Sequence, residues 1–313
     1  METDLPFIPG NFYAKPFPFL VVDDNIQFAD KNVIDRTYPD YRLLLTLDVL
    51  IPLVGYSLAW YSLYLMVSIY CWTSYKEGFR RRRLINNTIS GTHAAVIGLF
   101  LLVYTCRNAR LMFGSPQHYF SFLEMQIVLL STGYFIYDSI DMVVHDTVNV
   151  SSTVMMIHHI VSVSFLLIVI ASHKFLLYTY WALLMEVSTI FLNIRSVLNQ
   201  SKLSSTSMIE LYRVVSYINI ILFIPFRFCI QAYLIAWTIV NYHNMSTFYF
   251  IMSLVCNLCF LLTNVPLFLR VLHSDGFLCW QVSKEQLGMF GENVEYEEIE
   301  RGEHCEAEKP FIP

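Results

Sequence analysis

The chain has 313 residues, 56% of them hydrophobic and 14% charged, with a net charge of −5. Soluble domains carry about 25% charged residues, so this composition excludes a water-facing globular enzyme, and neither charged region resembles a nucleic-acid module. The net charge averages a basic run, Arg80 to Arg83, with eight Glu between Glu292 and Glu308.

Asp4, Asp23, Asp24, Asp30, Lys31, Asp35 and Arg36 make the first forty residues polar. They lack the apolar core of a cleavable signal peptide, so the first apolar run is expected to act as an uncleaved signal anchor. A helix needs about 20 apolar residues to cross the hydrocarbon core. Seven stretches meet that need, over 48–72, 88–106, 119–143, 153–172, 175–197, 211–237 and 247–271, which predicts an all-α polytopic membrane protein. Pro52 in the first and Pro225 in the sixth are candidate kinks. Lys76 and the Arg80–Arg83 run follow the first span, which predicts a cytosolic loop there, an outer N-terminus and a cytosolic C-terminus. Cys256 and Cys259 have the spacing of a zinc or redox pair. They lie in an apolar run without a second ligand pair, so packing is the expected role and no metal site is predicted.

Ionisable groups inside spans face a cavity or one another. His93 in the second span, Asp138 and Asp141 in the third, and His158 and His159 in the fourth fall at one level, roughly 5–10 Å from the cytosolic boundary. A carboxylate beside an imidazole fixes its tautomer and suits it to proton transfer; the same contact can simply lock helices together. His158 and His159 point about 100° apart, so both cannot face one partner equally. Glu186 lies deep in the fifth span, with Asn193 on the same face and Arg195 near its end. Arg227 is similarly deep in the sixth, with Gln231 one turn beyond. A Glu186–Arg227 pair would offset both desolvation penalties.

Several stretches together resemble the TLC domain: Asn87 to Tyr104, Gly133 to Asp141, Ile157-His158-His159, Glu186 to Arg195, Leu211 to Val214, and Arg227 with Gln231 to Leu234. Within that family they are most similar to the TLC domain-containing 1 and 2, or calfacilitin-like, group. The resemblance implies a six-helix TLC bundle over 76–275, preceded by one transmembrane helix within 41–75. The polar segment over 1–40, expected outside, and the acidic tail over 276–313, expected in the cytosol, lie beyond the resemblance. It also implies a role at the plasma membrane (the endoplasmic reticulum being the alternative) in setting phospholipid acyl composition and fluidity, by limiting incorporation of polyunsaturated fatty acids. Ceramide synthases share the superfamily and use a His pair for acyl transfer. By that analogy His158 or His159 would be a general base oriented by Asp138 or Asp141, with acyl-CoA as substrate and no cofactor. His93, Glu186, Asn193, Arg195, Arg227 and Gln231 would line the lipid cavity. The sequence departs from those enzymes at Glu186-Val187-Ser188, which stands in place of their His-Asp-x-x-Asp run. The expected partners are membrane phospholipids or acyl chains, with a membrane-protein partner as the regulatory alternative, and no nucleic acid.

Overall fold

A computed structural model describes residue 34 and residues 36–145, 150–201 and 208–274. The N-terminal segment up to residue 33 and the acidic tail from residue 276 lie outside the described residues. The described residues are mostly helical, with α1 Leu47–Tyr70, α2 Phe79–Arg107, a short α3 Ala109–Gly114, α4 Phe122–His145 and α5 Val150–Ser172. These are followed by α6 Leu176–Leu183, α7 Glu186–Gln200, α8 Ile209–Phe223, a π-helical turn Ile224–Cys229, α9 Ile230–Val240 and α10 Thr247–Ser274. Joined across their breaks, these elements give seven helices long and apolar enough to cross a membrane. The chain is an all-α polytopic membrane protein.

The spans fall where hydropathy places them, but several helices run further. α2 begins at Phe79, nine residues before the apolar run, because arginine is a good helix former and carries the helix through the basic run. The two prolines behave differently. α1 continues unbroken through Pro52, whereas Pro225 stands at the start of the π-helical turn in the sixth span. The fifth span is broken at Leu184 and Met185, where the backbone closes through a three-residue bond from Met185 N to Ala182 O.

The most extensive pairing is α2 with α7, followed by α1 with α4. Both depend on glycine. A Cβ on Gly98 would lie 2.9 Å from Val187 N, and one on Gly133 would lie 3.0 Å from Ser57 N. Without side chains at these points the backbones approach closely, which is how membrane helices gain van der Waals contact where lipid is as apolar as the helix face. Cys256 is buried in the main hydrophobic core, as its apolar surroundings suggested.

The link from α5 to α6 carries a titratable group outside the spans. His173 has a left-handed backbone (φ 52°), and its ring stacks on Phe120 at 4.2 Å with its neighbour Phe122 edge-on at 5.4 Å. Burial pushes its pKa below the ordinary histidine value. The unfolded chain therefore takes up a proton more readily than the folded one, and stability must fall as pH drops below about 6.5. His173→Asn, which tolerates the backbone angle and does not titrate, should give a flatter fall in melting temperature between pH 7.5 and 5. An equally steep fall would show that the proton acts elsewhere.

Candidate functional site

Five of the candidate groups lie at one level. Measured from the helix ends away from the basic run, His93, Asp138, His158, His159 and Arg227 are all about 20–24 Å in. From the basic-end termini His93, Asp138 and the His pair are about 10–21 Å in, because the helices continue beyond their apolar runs.

His159 and Asp138 meet. His159 Nδ1 lies 3.4 Å from Asp138 Oδ2, and both side chains are buried. His159 Nδ1 makes no hydrogen bond at that distance, so the contact is a close approach of imidazole to carboxylate. The His158 ring points elsewhere, as the 100° step demands. It sits 5.7 Å from the His159 ring and 5.1 Å from Phe260 on α10, and its Nδ1 is buried with no hydrogen-bond partner. His93 is enclosed by aromatic rings. It stacks on Tyr134 at 4.0 Å, meets Trp60 and Phe135 edge-on at 5.6 Å each, and has Ser131 Oγ 3.4 Å from its Nε2. Phe135 also packs on His159 at 5.5 Å, so an aromatic ring stands between His93 and the pair.

The two aspartates divide. Asp141 turns from the His pair to the basic run, with Arg82 Nη2 at 3.2 Å from Oδ2 and His145 Nδ1 at 3.0 Å from Oδ1. Arg82 also donates to the backbone oxygen of His145 at 2.8 Å, fastening the end of α4 to the start of α2. Of the two acids, Asp138 is therefore the one beside the His158–His159 pair.

Glu186 and Arg227 are close enough to couple electrostatically, yet they form no direct ion pair. Arg227 binds neutral acceptors instead. Nε donates to Ser188 Oγ (2.8 Å), Nη1 to Asn264 Oδ1 (2.5 Å) and Nη2 to Thr189 Oγ1 (2.9 Å), with Phe223 under the guanidinium at 4.9 Å. The π-helical turn carries Arg227 toward α7 and α10, and Ser188 and Thr189, one turn into α7, reach it first. Asn193 donates to Ser90 Oγ at 3.1 Å, and Arg195 lies over the Tyr212 ring at 5.7 Å, so both connect helices rather than join the His pair.

The sequence pattern of the TLC domain matches residues 53–273. This chain belongs to the TLC domain family. It is 32% identical over 196 residues to TLC domain-containing protein 1 of Gallus gallus, covering 61% of this chain and 73% of that protein. Against TLC domain-containing protein 2 of Danio rerio it is 27% identical over 190 residues, 61% of this chain and 75% of the relative. Against TLC domain-containing protein 1 of Homo sapiens it is 29% identical over 212 residues, 67% and 82%.

The TLC domain of this chain contains two further polar constructions that sequence reasoning missed. One is a ladder through the last three spans. Asn264 Nδ2 donates to Gln231 Oε1 (3.2 Å), Gln231 Nε2 to the Asn257 backbone oxygen (2.5 Å), and Asn257 Nδ2 to Tyr178 OH (2.8 Å), which meets Thr238 Oγ1 at 3.0 Å. The signal available was the seven-residue spacing of Asn257 and Asn264 in an apolar run, which places them on one helix face. The other is Glu124, 1% exposed, whose Oε1 accepts from Tyr104 OH at 2.9 Å while its backbone oxygen accepts from Tyr180 OH at 2.7 Å. It lies at the far end of the bundle from the His pair. Around the pair itself, the TLC domain offers an imidazole 3.4 Å from a carboxylate, a second imidazole beside it, both with an Nδ1 that makes no hydrogen bond, and a guanidinium at the same depth. Those groups can move a proton and stabilise an oxyanion.

Proposed function

We propose that this protein sets which acyl chains enter membrane phospholipids, limiting incorporation of polyunsaturated fatty acids and so holding membrane fluidity down. TLC domain proteins are linked to lipid metabolism or homeostasis. The observation that carries the reading for this chain is the buried His159–Asp138 contact, level with Arg227 inside a membrane-spanning bundle. Polar groups so placed are expensive unless they meet one another or a ligand, and the polar end of an acyl lipid is a ligand available at that depth. A plasma-membrane location, rather than the endoplasmic reticulum, fits the fluidity role.

A second reading is enzymatic and is favoured by the 3.4 Å approach of Asp138 to His159. In it, His159 takes the proton from a lipid hydroxyl, whose oxygen attacks the thioester carbonyl of acyl-CoA. The ester forms as the C–S bond breaks, and the CoA thiolate leaves with the proton. Asp138 holds the imidazole in the productive tautomer.

Cells lacking the protein and fed polyunsaturated fatty acid should show more polyunsaturated phospholipid and a more fluid membrane, read by lipid mass spectrometry and an order-sensitive dye. An unchanged acyl profile would overturn the assignment. Rescue by wild type but not by His158→Ala or His159→Ala, at equal abundance and location, would support the His pair. Full rescue by the double substitution would remove the enzymatic reading and leave the regulatory one.

A further inference from the structure

Arg227 has no carboxylate in contact among the described residues, and its guanidinium donates to the neutral Ser188, Thr189 and Asn264 over the Phe223 ring. Those three bonds use the Nε hydrogen and one hydrogen on each terminal nitrogen, so each terminal nitrogen keeps a second N–H. Neutral partners satisfy donors but leave the guanidinium's charge uncompensated in a low-dielectric interior. Glu186 bears on it through space without touching it. The turn that positions Arg227 is π-helical, an irregularity that recurs at functional sites. A second observation lies on the same face of this span, toward the basic end. Ser216 and Asn219 are 3% and 0% exposed, and neither the Ser216 hydroxyl nor either amide atom of Asn219 has a hydrogen-bond partner. Three buried polar atoms without partners are unfavourable unless water or a ligand meets them. Phe223, one turn beyond Asn219, is the ring on which the Arg227 guanidinium lies, so the orphaned groups lead to the cation.

We propose that Arg227 receives the carboxylate of a long-chain fatty acid, reached from the basic end of the bundle along the polar track of Ser216 and Asn219. The proposal names the acyl ligand for the lipid-handling role above and rests on that reading. Two carboxylate oxygens match the two remaining N–H groups in fork geometry. One negative charge neutralises Arg227, and the further charge that a phosphate monoester brings would have no partner there. Phe223, Phe228 and Phe268, with ring centroids 4.9–5.4 Å apart, supply an apolar wall beside the cation for methylene groups.

The test uses the full-length protein in phosphatidylcholine nanodiscs and radiolabelled oleic acid. Binding should saturate and be displaced by unlabelled oleic acid, with oleyl alcohol and lysophosphatidic acid at least about tenfold weaker as competitors, the difference of one charge-assisted contact. Arg227→Gln should weaken binding by a similar factor, and Arg227→Lys should keep part of it. Equal competition by oleyl alcohol, which needs no variant, would overturn the carboxylate receptor. Stronger competition by lysophosphatidic acid would overturn it in favour of a lipid phosphate. Absence of saturable binding, in a protein whose loss still shifts the cellular acyl profile, would overturn the receptor and leave the function standing. Acid-selective binding with an unshifted profile would overturn the function and leave the receptor.

Discussion

Gly98→Val should lower the stability of the purified protein by about 3 kcal/mol, the upper part of the range for forcing methyl groups into a packed contact. The first added carbon would lie 2.9 Å from Val187 N and 3.1 Å from the Glu186 carbonyl carbon. Both are backbone atoms of α7, which cannot swing aside as a side-chain tip can. The most extensive helix pairing in the bundle would have to open, and with it the positions of Glu186 and of Ser188, which holds Arg227. Gly55→Ala is the matched control, since a Cβ there meets nothing within 4 Å. Thermal melting in detergent should show a large fall for the first and almost none for the second. Equal melting temperatures would mean that α2 and α7 are not in close backbone contact.

Asn264→Leu should lower stability by a comparable amount, about 3 kcal/mol, through lost hydrogen bonds rather than overlap. The leucine would remove the acceptor of the 2.5 Å bond from Arg227 and the donor of the 3.2 Å bond to Gln231. A bond to a charged group contributes about 1.5–3 kcal/mol and a neutral one about 1 kcal/mol, and here the partners stay buried. Asn264→Asp keeps the acceptor for Arg227, adds a compensating charge and loses only the donor, so its loss should be smaller. If the leucine variant melted with wild type, Arg227 would have found other acceptors and the ladder would not be what joins the last two spans.

The seven spans were legible because a 20-residue apolar run has few other uses. The break in the fifth was not, because Leu184 and Met185 are good helix formers and carry no local sign of a turn. That a histidine of the pair would lie near an aspartate followed from depth, as groups at one level on neighbouring spans tend to meet, but not that His159 rather than His158 would be the one. The division between Asp138 and Asp141 did not follow. The two are close in direction on one helix, and the choice is made by Arg82 reaching across from α2. The Glu186–Arg227 ion pair expected from sequence is replaced by Ser188, Thr189 and Asn264, because charge is conspicuous in an apolar sequence while hydroxyls and amides are not. Asn219, Asn257 and Glu124 were passed over for related reasons. The amides carry no charge, and an acid in the first turn of α4 reads as an ordinary complement to the helix dipole.

The basic run also has a history within the life of each molecule. Arg82 cannot reach Asp141 or the His145 oxygen until α4 has been synthesised, a full span after α2. Arg81 can already donate to Ser68 O at 2.7 Å when only α1 and the start of α2 exist. During insertion Arg82 therefore meets water and headgroups first, at the stage when positive charge fixes which way a span points. Only afterwards does it turn inward to clasp the returning helix. A charge-reversal experiment at Arg82 would disturb both stages together, whereas one at the exposed Lys76 would report on insertion alone.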